Sequence, residues 1–435
     1  MPHKTVTNWG NFPSIEANVT ESSKISEIQT FVSEQQSLIA RGNGRCYGDS
    51  SLGKNIVSTL KLNKFLAFDI GSNTLECESG VLLSEILDVI VPRGFFLPVT
   101  PGTKFITVGG AIAADVHGKN HHSEGTFADH VIFLDLLKAD GSVIRCSPDE
   151  NANIFWQTCG GMGLTGIILR SKFKLKQIET SYIRQISHKA DDIEKVMRLF
   201  EESGNNTYSV AWLDCFGGKR HLGRSILRLG EHSSFDELPA QLKKDPLRLT
   251  PKGGLNLPFY FPAFSVNYLS VKALNLLYYH KQWGKIAENF EHYDSFFYPL
   301  DGIHHWNRIY GRRGFVQYQF VLPKETSYDG LVKILDKIQL SGQGSPLAVL
   351  KLFGKQNTNA VMSFPIEGYT LALDFKVNPA VFRLLDELDE IVLAHEGRLY
   401  LAKDSRMSSD VFHRSYSKFV PSGTFRSKQA ERLQF

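Results

Sequence analysis

Cysteine is scarce. The chain has five in 435 residues (Cys46, Cys77, Cys146, Cys159, Cys215), an odd number with no close pair. That excludes a disulfide framework or a Cys-rich zinc site and fits a reducing compartment. An excess of one charge is also missing: Lys plus Arg is 49 against 45 for Asp plus Glu, a net +4. Binding to a phosphate backbone needs a denser basic stripe, so no nucleic-acid partner is expected. No run of about 20 apolar residues is present. The nearest uncharged stretch, Leu255–Val271, is broken by Asn256, Pro258, Pro262 and Asn267. The opening residues MPHKTVTNWGNFPS hold no apolar core of a signal peptide. The expected location is cytoplasmic, with peripheral contact to an inner membrane left open.

What is present is ordinary globular material: 42% hydrophobic and 22% charged residues, with length for two or three domains. The first third alternates short strand and helix patterns. Ile25, Ile28, Phe31 and Val32 follow helical spacing, with Ser22 or Ser23 as N-cap. Thr74–Glu78 alternates as a strand, Val81–Val91 is helical, and Val131–Leu137 with Ser142–Arg145 reads as a hairpin about Asp140-Gly141. The pattern is α+β, not a run of parallel βαβ units. After about residue 180 come a helix at Ile193–Phe200, strands at Tyr208–Leu213, Phe315–Val321 and Leu371–Lys376, and helices at Gly330–Leu340 and Phe382–His395. Phe259–Tyr298 holds 13 aromatics in 40 residues.

Two glycine-rich stretches carry the chemical signal. The turn Arg41-Gly42-Asn43-Gly44-Arg45-Cys46-Tyr47-Gly48-Asp49 follows a strand, and its successive N–H groups suit a pyrophosphate. The second runs from Pro101-Gly102-Thr103 through Thr107-Val108-Gly109-Gly110-Ala111-Ile112-Ala113-Ala114 to His117-Gly118-Lys119-Asn120. Its small side chains let a flat ring lie against the backbone. Either alone could be a structural turn. Gly161-Met162-Gly163-Leu164-Thr165-Gly166 matches the dinucleotide fingerprint, but a helix precedes it and a strand follows, the reverse of the required order.

These residues resemble flavoenzymes of the vanillyl-alcohol-oxidase type, and among them the decaprenylphosphoryl-β-D-ribose 2′-oxidases. Further matches are Phe155-Trp156, Gly163-Leu164-Thr165-Gly166-Ile167-Ile168, Phe315-Val316-Gln317-Tyr318-Gln319-Phe320, Lys351-Leu352-Phe353-Gly354 and Gly397-Arg398-Leu399-Tyr400 through Arg406. The resemblance implies a two-part FAD-binding domain (1–178 and 397–435) with an inserted antiparallel-sheet substrate domain (179–396). It implies that 40–50, Gly102, Thr107–Gly110, His117–Asn120, Ile168 and Tyr400 line FAD. Tyr47, Gln317, Gln319, Lys351 and Lys403 would face the ring and the sugar. Many relatives attach flavin through a His in the first turn; Arg45 stands there, which implies non-covalent FAD. Where the ribose oxidases have a pocket cysteine, this chain has Ala372.

The implied reaction oxidises a sugar secondary hydroxyl to a ketone. The leading substrate is the 2′-hydroxyl of a polyprenyl-phosphoryl ribose, with a short-chain NAD(P)-dependent reductase finishing an epimerisation in cell-wall biosynthesis. An aldonolactone or alditol oxidase and a non-catalytic flavin scaffold remain alternatives. Lys403 is the first catalytic candidate, as a cation or base beside the ring, against a surface ion pair with Asp404. His117 and Tyr47 are the others, His117 against a core histidine. His117, His121 and His122 lack acidic or Cys companions, so no metal is expected. The Phe259–Tyr298 segment is either core or an interfacial flap, with Lys243, Lys244, Arg248 and Lys252 just upstream.

Overall fold

Among the described residues, short strands joined by tight turns build three main sheets and two two-stranded ribbons. The computed structural model describes residues 3–249, 253–262, 264–416 and 423–435. Strands β1 (His3–Thr7), β2 (Ser14–Glu21), β3 (Ile39–Arg41) and β4 (Asn55–Ser58) form a mixed sheet in the order β1-β2-β4-β3. Here β4 runs parallel to both neighbours. Strands β5 (Phe65–Asp69), β6 (Thr74–Glu78), β7 (Val131–Leu137), β8 (Val143–Cys146) and β9 (Ile167–Lys174) form an antiparallel sheet in the order β5-β6-β9-β7-β8. The β7–β8 hairpin turns where expected, with Gly141 at φ 80°, a conformation that favours glycine.

The third sheet has eight strands. They are β10 (Tyr182–Ala190), β11 (Tyr208–Leu213), β12 (Ser225–His232), β13 (Ile286–His292), β14 (Phe315–Pro323), β15 (Ala348–Phe353), β16 (Gly368–Lys376) and β17 (Arg398–Leu399). Their order is β13-β10-β12-β11-β15-β16-β14-β17. One face packs on helices α4 (Ile193–Glu202), α6 (Ser327–Ser341) and α7 (Pro379–Ala394), numbered after α1 (Ile25–Glu34), α2 (Val108–Ala113), α3 (Ala152–Thr158) and α5 (Tyr268–Lys281). Val196, Phe200, Ile334 and Leu385 meet Leu227, Phe320, Leu350 and Leu373 in one core. Burial of each such side chain contributes about 1.5–3 kcal/mol. The α7 start is set by Pro379 in the first turn and by the Asn378 side chain, which accepts from Val381 N–H at 2.9 Å. Alternation along β14 sends Val316, Tyr318 and Phe320 into that core and leaves Gln317 and Gln319 on the opposite face.

Three expectations need correction. Helix α1 begins after Lys24, and neither Ser22 nor Ser23 caps it directly: Ser22 Oγ accepts from Lys24 N–H and donates to Glu27. Strand β17 pairs with β14 through Phe320 and Leu399, so the third sheet runs past residue 396 and the chain leaves it only at Tyr400. The Phe259–Tyr298 segment is not one unit. Tyr293, Phe296, Phe297 and Tyr298 are core, packed on Phe96 and Tyr208, whereas Phe259, Phe264, Leu269, Leu277 and Trp283 lie exposed. The reversed glycine pattern behaves as expected: α3 precedes it, Gly160 and Gly163 take positive φ, and β9 follows.

Candidate active site

The polar face of the third sheet supplies the centre of the site. Register places Gln317 opposite Asp374, Gln319 opposite Ala372, and Lys351 opposite Thr370 on three adjacent strands. Directly opposed residues share a face, so these side chains form one polar patch. Gln317 Nε2 donates to Asp374 Oδ1 at 2.5 Å, and Tyr310 OH donates to Oδ2 at 3.3 Å. Burial pushes the Asp374 carboxyl up to about 7, against the pull of Gln317, Lys403 and Tyr310.

His117 arrives on this patch from the loop after α2. Its Nε2 lies 3.1 Å from the Gln319 amide and its Nδ1 3.4 Å from Lys351 Nζ. Phe353, Phe364 and Tyr400 enclose the ring. Burial first, then the Lys351 charge, hold its pKa well below the ordinary histidine value, so the ring is neutral. A neutral imidazole has one donor and one acceptor, and the Gln319 amide can present either to it. Tyr400 OH donates to Ala114 O at 2.8 Å, tying the loop after β17 to the end of α2.

Lys403 follows in that loop. Its Nζ sits 3.7 Å from the centroid of the Tyr47 ring and has no hydrogen bond or ion pair among the described residues. Asp404 does not pair with it; that carboxylate is held by Arg432. Burial pulls the Lys403 ammonium down to about 7, with Asp374 pulling upward and Lys351 repelling. Lys351 falls to about 8 through burial. Two poorly solvated ammonium groups beside a neutral histidine make a site that welcomes an anion.

The first glycine-rich turn packs tightly here. A Cβ on Gly48 would fall 1.7 Å from Asp404 O, and one on Gly42 would fall 2.2 Å from Thr107 Oγ1. Thr107 caps α2, accepting from Gly110 N–H at 3.1 Å. A Cβ on Gly102 would meet nothing within 4 Å. Arg41, Asn43, Gly44 and Arg45 border a cleft beside the turn, and Cys46 Sγ lies 3.3 Å from Ser51 Oγ.

Several motif residues are turned elsewhere. Lys119 Nζ bonds Phe296 O and lies over the Phe296 ring, and Asn120 donates to Pro98 O. Asp49 is engaged by Arg432, and Val108 and Ile168 are apolar core. His121 accepts from Gly354 N–H and His122 contacts Asn206 O, so the three histidines face apart. Among the described residues no three His, Cys, Asp or Glu converge as metal ligands.

Sequence reasoning missed Asp374, Thr370, Asp115 and Arg432. Asp374 was detectable: it is the one charged residue between Gly368 and Phe375, in phase with Ala372 and Thr370. Asp115 carried no such sign. It is buried at φ 40°, accepts from Ala128 N–H and Ser363 Oγ, and burial raises it to about 6.

Residues 13–147 match the family described as the FAD binding domain. The chain is 37% identical to the decaprenylphosphoryl-β-D-ribose oxidase of Mycolicibacterium smegmatis, over 99% of this chain and 97% of that one. It is 32% identical to an uncharacterised protein of Streptomyces coelicolor, over 81% of this chain and all of that one. It is 25% identical to mouse L-gulonolactone oxidase, over 45% of this chain and 46% of the relative.

Proposed function

From the premise that the chain belongs to the decaprenylphosphoryl-β-D-ribose oxidase family, FAD-dependent oxidoreductases acting on CH–OH groups, we propose that it oxidises the 2′-hydroxyl of a polyprenyl-phosphoryl ribose. The observation that carries the reading is the Lys403 side chain on the Tyr47 ring, without a hydrogen bond or ion pair among the described residues, within electrostatic reach of Asp374 and Lys351 in the polar patch that holds Gln317 and Gln319. The fit to a cofactor rests on the same group: a half-buried amine without a hydrogen bond, once it holds the hydroxyl proton, would suit the negative charge of a reduced ring. When bound, FAD would supply the two-electron oxidant for the carbinol. Lys403 as neutral amine takes the hydroxyl proton, and Lys351 and the Gln319 amide orient the sugar oxygens. Neutral His117 holds Gln319 and Lys351 in place and closes the apolar side with Phe353 and Phe364. The turn 41–48, Gly102, Thr107–Gly110 and the backbone of 117–120 would form the FAD cradle. In this reading 1–178 and the tail bind FAD and the third sheet binds substrate. A short-chain reductase would consume the keto product.

The test is anaerobic mixing. Farnesyl-phosphoryl ribose should bleach the flavin at a rate well above that of free ribose, alditols or aldonolactones; equal bleaching by a free sugar would overturn the lipid-linked reading. The same preparation should release its FAD into the supernatant on acid precipitation. Arg45 cannot form the histidyl bond, and its guanidinium lies 4.0 Å from the Trp9 ring centroid.

Peripheral membrane contact belongs to the same proposal. Among the described residues no helix is long and apolar enough to cross a membrane. Helix α5 and its flanks nevertheless expose Phe264 (76%), Leu277 (71%) and Trp283 (97%). Lys243, Lys244 and Arg248 lie upstream; Lys252 falls outside the described residues. An apolar ridge on a helix that also exposes Lys272 and Lys281 gains affinity from buried area plus anionic headgroups. Leu277→Glu with Trp283→Glu should lower co-sedimentation with anionic vesicles several-fold and leave FAD content unchanged. Undiminished sedimentation would rule the ridge out.

A further inference from the structure

A cleft of about 280 Å³ opens beside the first glycine-rich turn. Its twelve lining residues include Arg41, Arg45 and Arg308 and no acid. The three arginines differ in availability. Arg41 is spent inside the fold, bonding Thr7 O and the Asn8 side chain. Arg45 lies over Trp9 with no hydrogen bond or ion pair among the described residues. Arg308 gives one N–H to Leu257 O at 2.7 Å and lies 5.6 Å from the Tyr260 ring centroid. Asn11, on the same wall, carries a buried amide nitrogen with no partner. His305 stands exposed at the rim, its pKa lowered by partial burial and by the charges of Arg308, His304 and Arg45. Free donors and positive charge, with no carboxylate in the lining, define an anion site; the nearby Asp301 carboxylate draws on Arg45 but is held by the Lys104 N–H, which leaves Arg308 the freer charge.

Its place is equally specific. Arg45 precedes by two residues the Tyr47 ring on which Lys403 rests, and Trp9, Tyr47, Trp306 and Phe315 form one cluster. In a phosphoryl sugar the phosphate hangs on the carbon next to the 2′-carbinol, so its site must adjoin the reacting one. Away from the turn the wall becomes apolar: Tyr260 borders the cleft, and Phe259 and Phe261 stack with centroids 5.8 Å apart.

We propose that this cleft is the phosphate subsite of the active site, where Arg308, Arg45 and the Asn11 amide hold the phosphodiester of a prenyl-phosphoryl ribose and Tyr260 with Phe259 and Phe261 receives the first isoprene units. It rests on the substrate reading above. The shared chemistry is a phosphate oxyanion, and the FAD pyrophosphate is the competing source. Titration of the holoenzyme with farnesyl phosphate and with farnesol separates them. The parent should bind farnesyl phosphate at least about tenfold tighter than farnesol, the worth of a charge-assisted hydrogen bond. Arg308→Gln should erase that difference and Arg308→Lys should keep most of it, both with full FAD content. In flavin reduction, Arg308→Gln should raise KM for farnesyl-phosphoryl ribose about tenfold, with the limiting rate within about twofold. No preference for the phosphate in the parent overturns the subsite, as does unchanged farnesyl phosphate binding in Arg308→Gln. FAD loss with an unmoved KM assigns the cleft to the cofactor and also overturns it. Should Arg308→Gln fail to fold, the parent comparison alone decides. If the parent prefers farnesyl phosphate but is not reduced by its riboside, the subsite stands and the proposed reaction falls.

Discussion

Lys403→Met should keep FAD and lose flavin reduction by about three orders of magnitude, the middle of the range for a general base. In the parent, the limiting rate should rise with pH through about 7 and level off above it. The sign follows from the competent form: a base must be neutral, and burial brings the Lys403 amine to about 7. Below that value the group is ammonium and cannot take the hydroxyl proton. Asp374, raised to about 7 by burial, would give a limb of the same direction. The variants separate the two. Lys403→Met should flatten the profile, whereas Asp374→Asn should shift it downward, because a carboxylate that favours the ammonium has gone. Lys403→Arg keeps a charge that does not titrate in this range; it should be inactive if proton removal is the role. Near-parent reduction by Lys403→Arg would reassign Lys403 to electrostatic stabilisation of the reduced ring. Anaerobic stopped-flow flavin absorbance between pH 6 and 9 reads all three.

Local patterns in the sequence located most elements and one wall of the site. The hairpin at Asp140-Gly141 and the strand at Thr74–Glu78 follow from period-two alternation and turn chemistry alone. The glycine-rich turn is legible because close backbone approach demands missing Cβ atoms, as at Gly42 and Gly48. Residues whose role depends on register were hidden. Asp374 matters because β16 pairs with β14 so that it faces Gln317, a relation spanning 57 positions that no local window contains. The aromatic-rich segment misled for the opposite reason. Composition merged an exposed helix with a buried turn, and only burial separates Trp283 from Phe297. Lys119 and Asp49 show the same limit: motif membership fixes a backbone, while the side chain goes to whichever partner the fold provides.

Arg432→Ala should destabilise the protein by about 3–5 kcal/mol and weaken FAD retention. Arg432, in helix α8 (Lys428–Leu433), meets Asp49 with a fork at 2.8 and 3.1 Å and Asp404 at 2.8 Å. Both carboxylates are buried, and Gln429 adds a bond to Leu401 O at 2.8 Å. One guanidinium therefore fastens the glycine-rich turn to the loop that carries Lys403. Removing it strands two buried negative charges against each other, which costs far more than an exposed ion pair. The pH dependence follows. In the parent, burial would raise Asp404, but Arg432 and two backbone N–H groups outweigh it and leave the carboxyl below its usual range. That stabilisation is present above the unfolded carboxylate pKa and is lost as pH falls. Asp49 differs: burial holds it above its usual range even with Arg432 in place. In Arg432→Ala, Asp404 should join it above the unfolded value, so acidification protonates both and relieves the repulsion. The gap between parent and variant should accordingly narrow from pH 7.5 to pH 5 in urea unfolding. Arg432→Lys, which keeps charge without the fork, should recover part of the stability and less of the FAD affinity. A constant gap across that range, or a variant as stable as the parent, would show that the two carboxylates do not depend on Arg432.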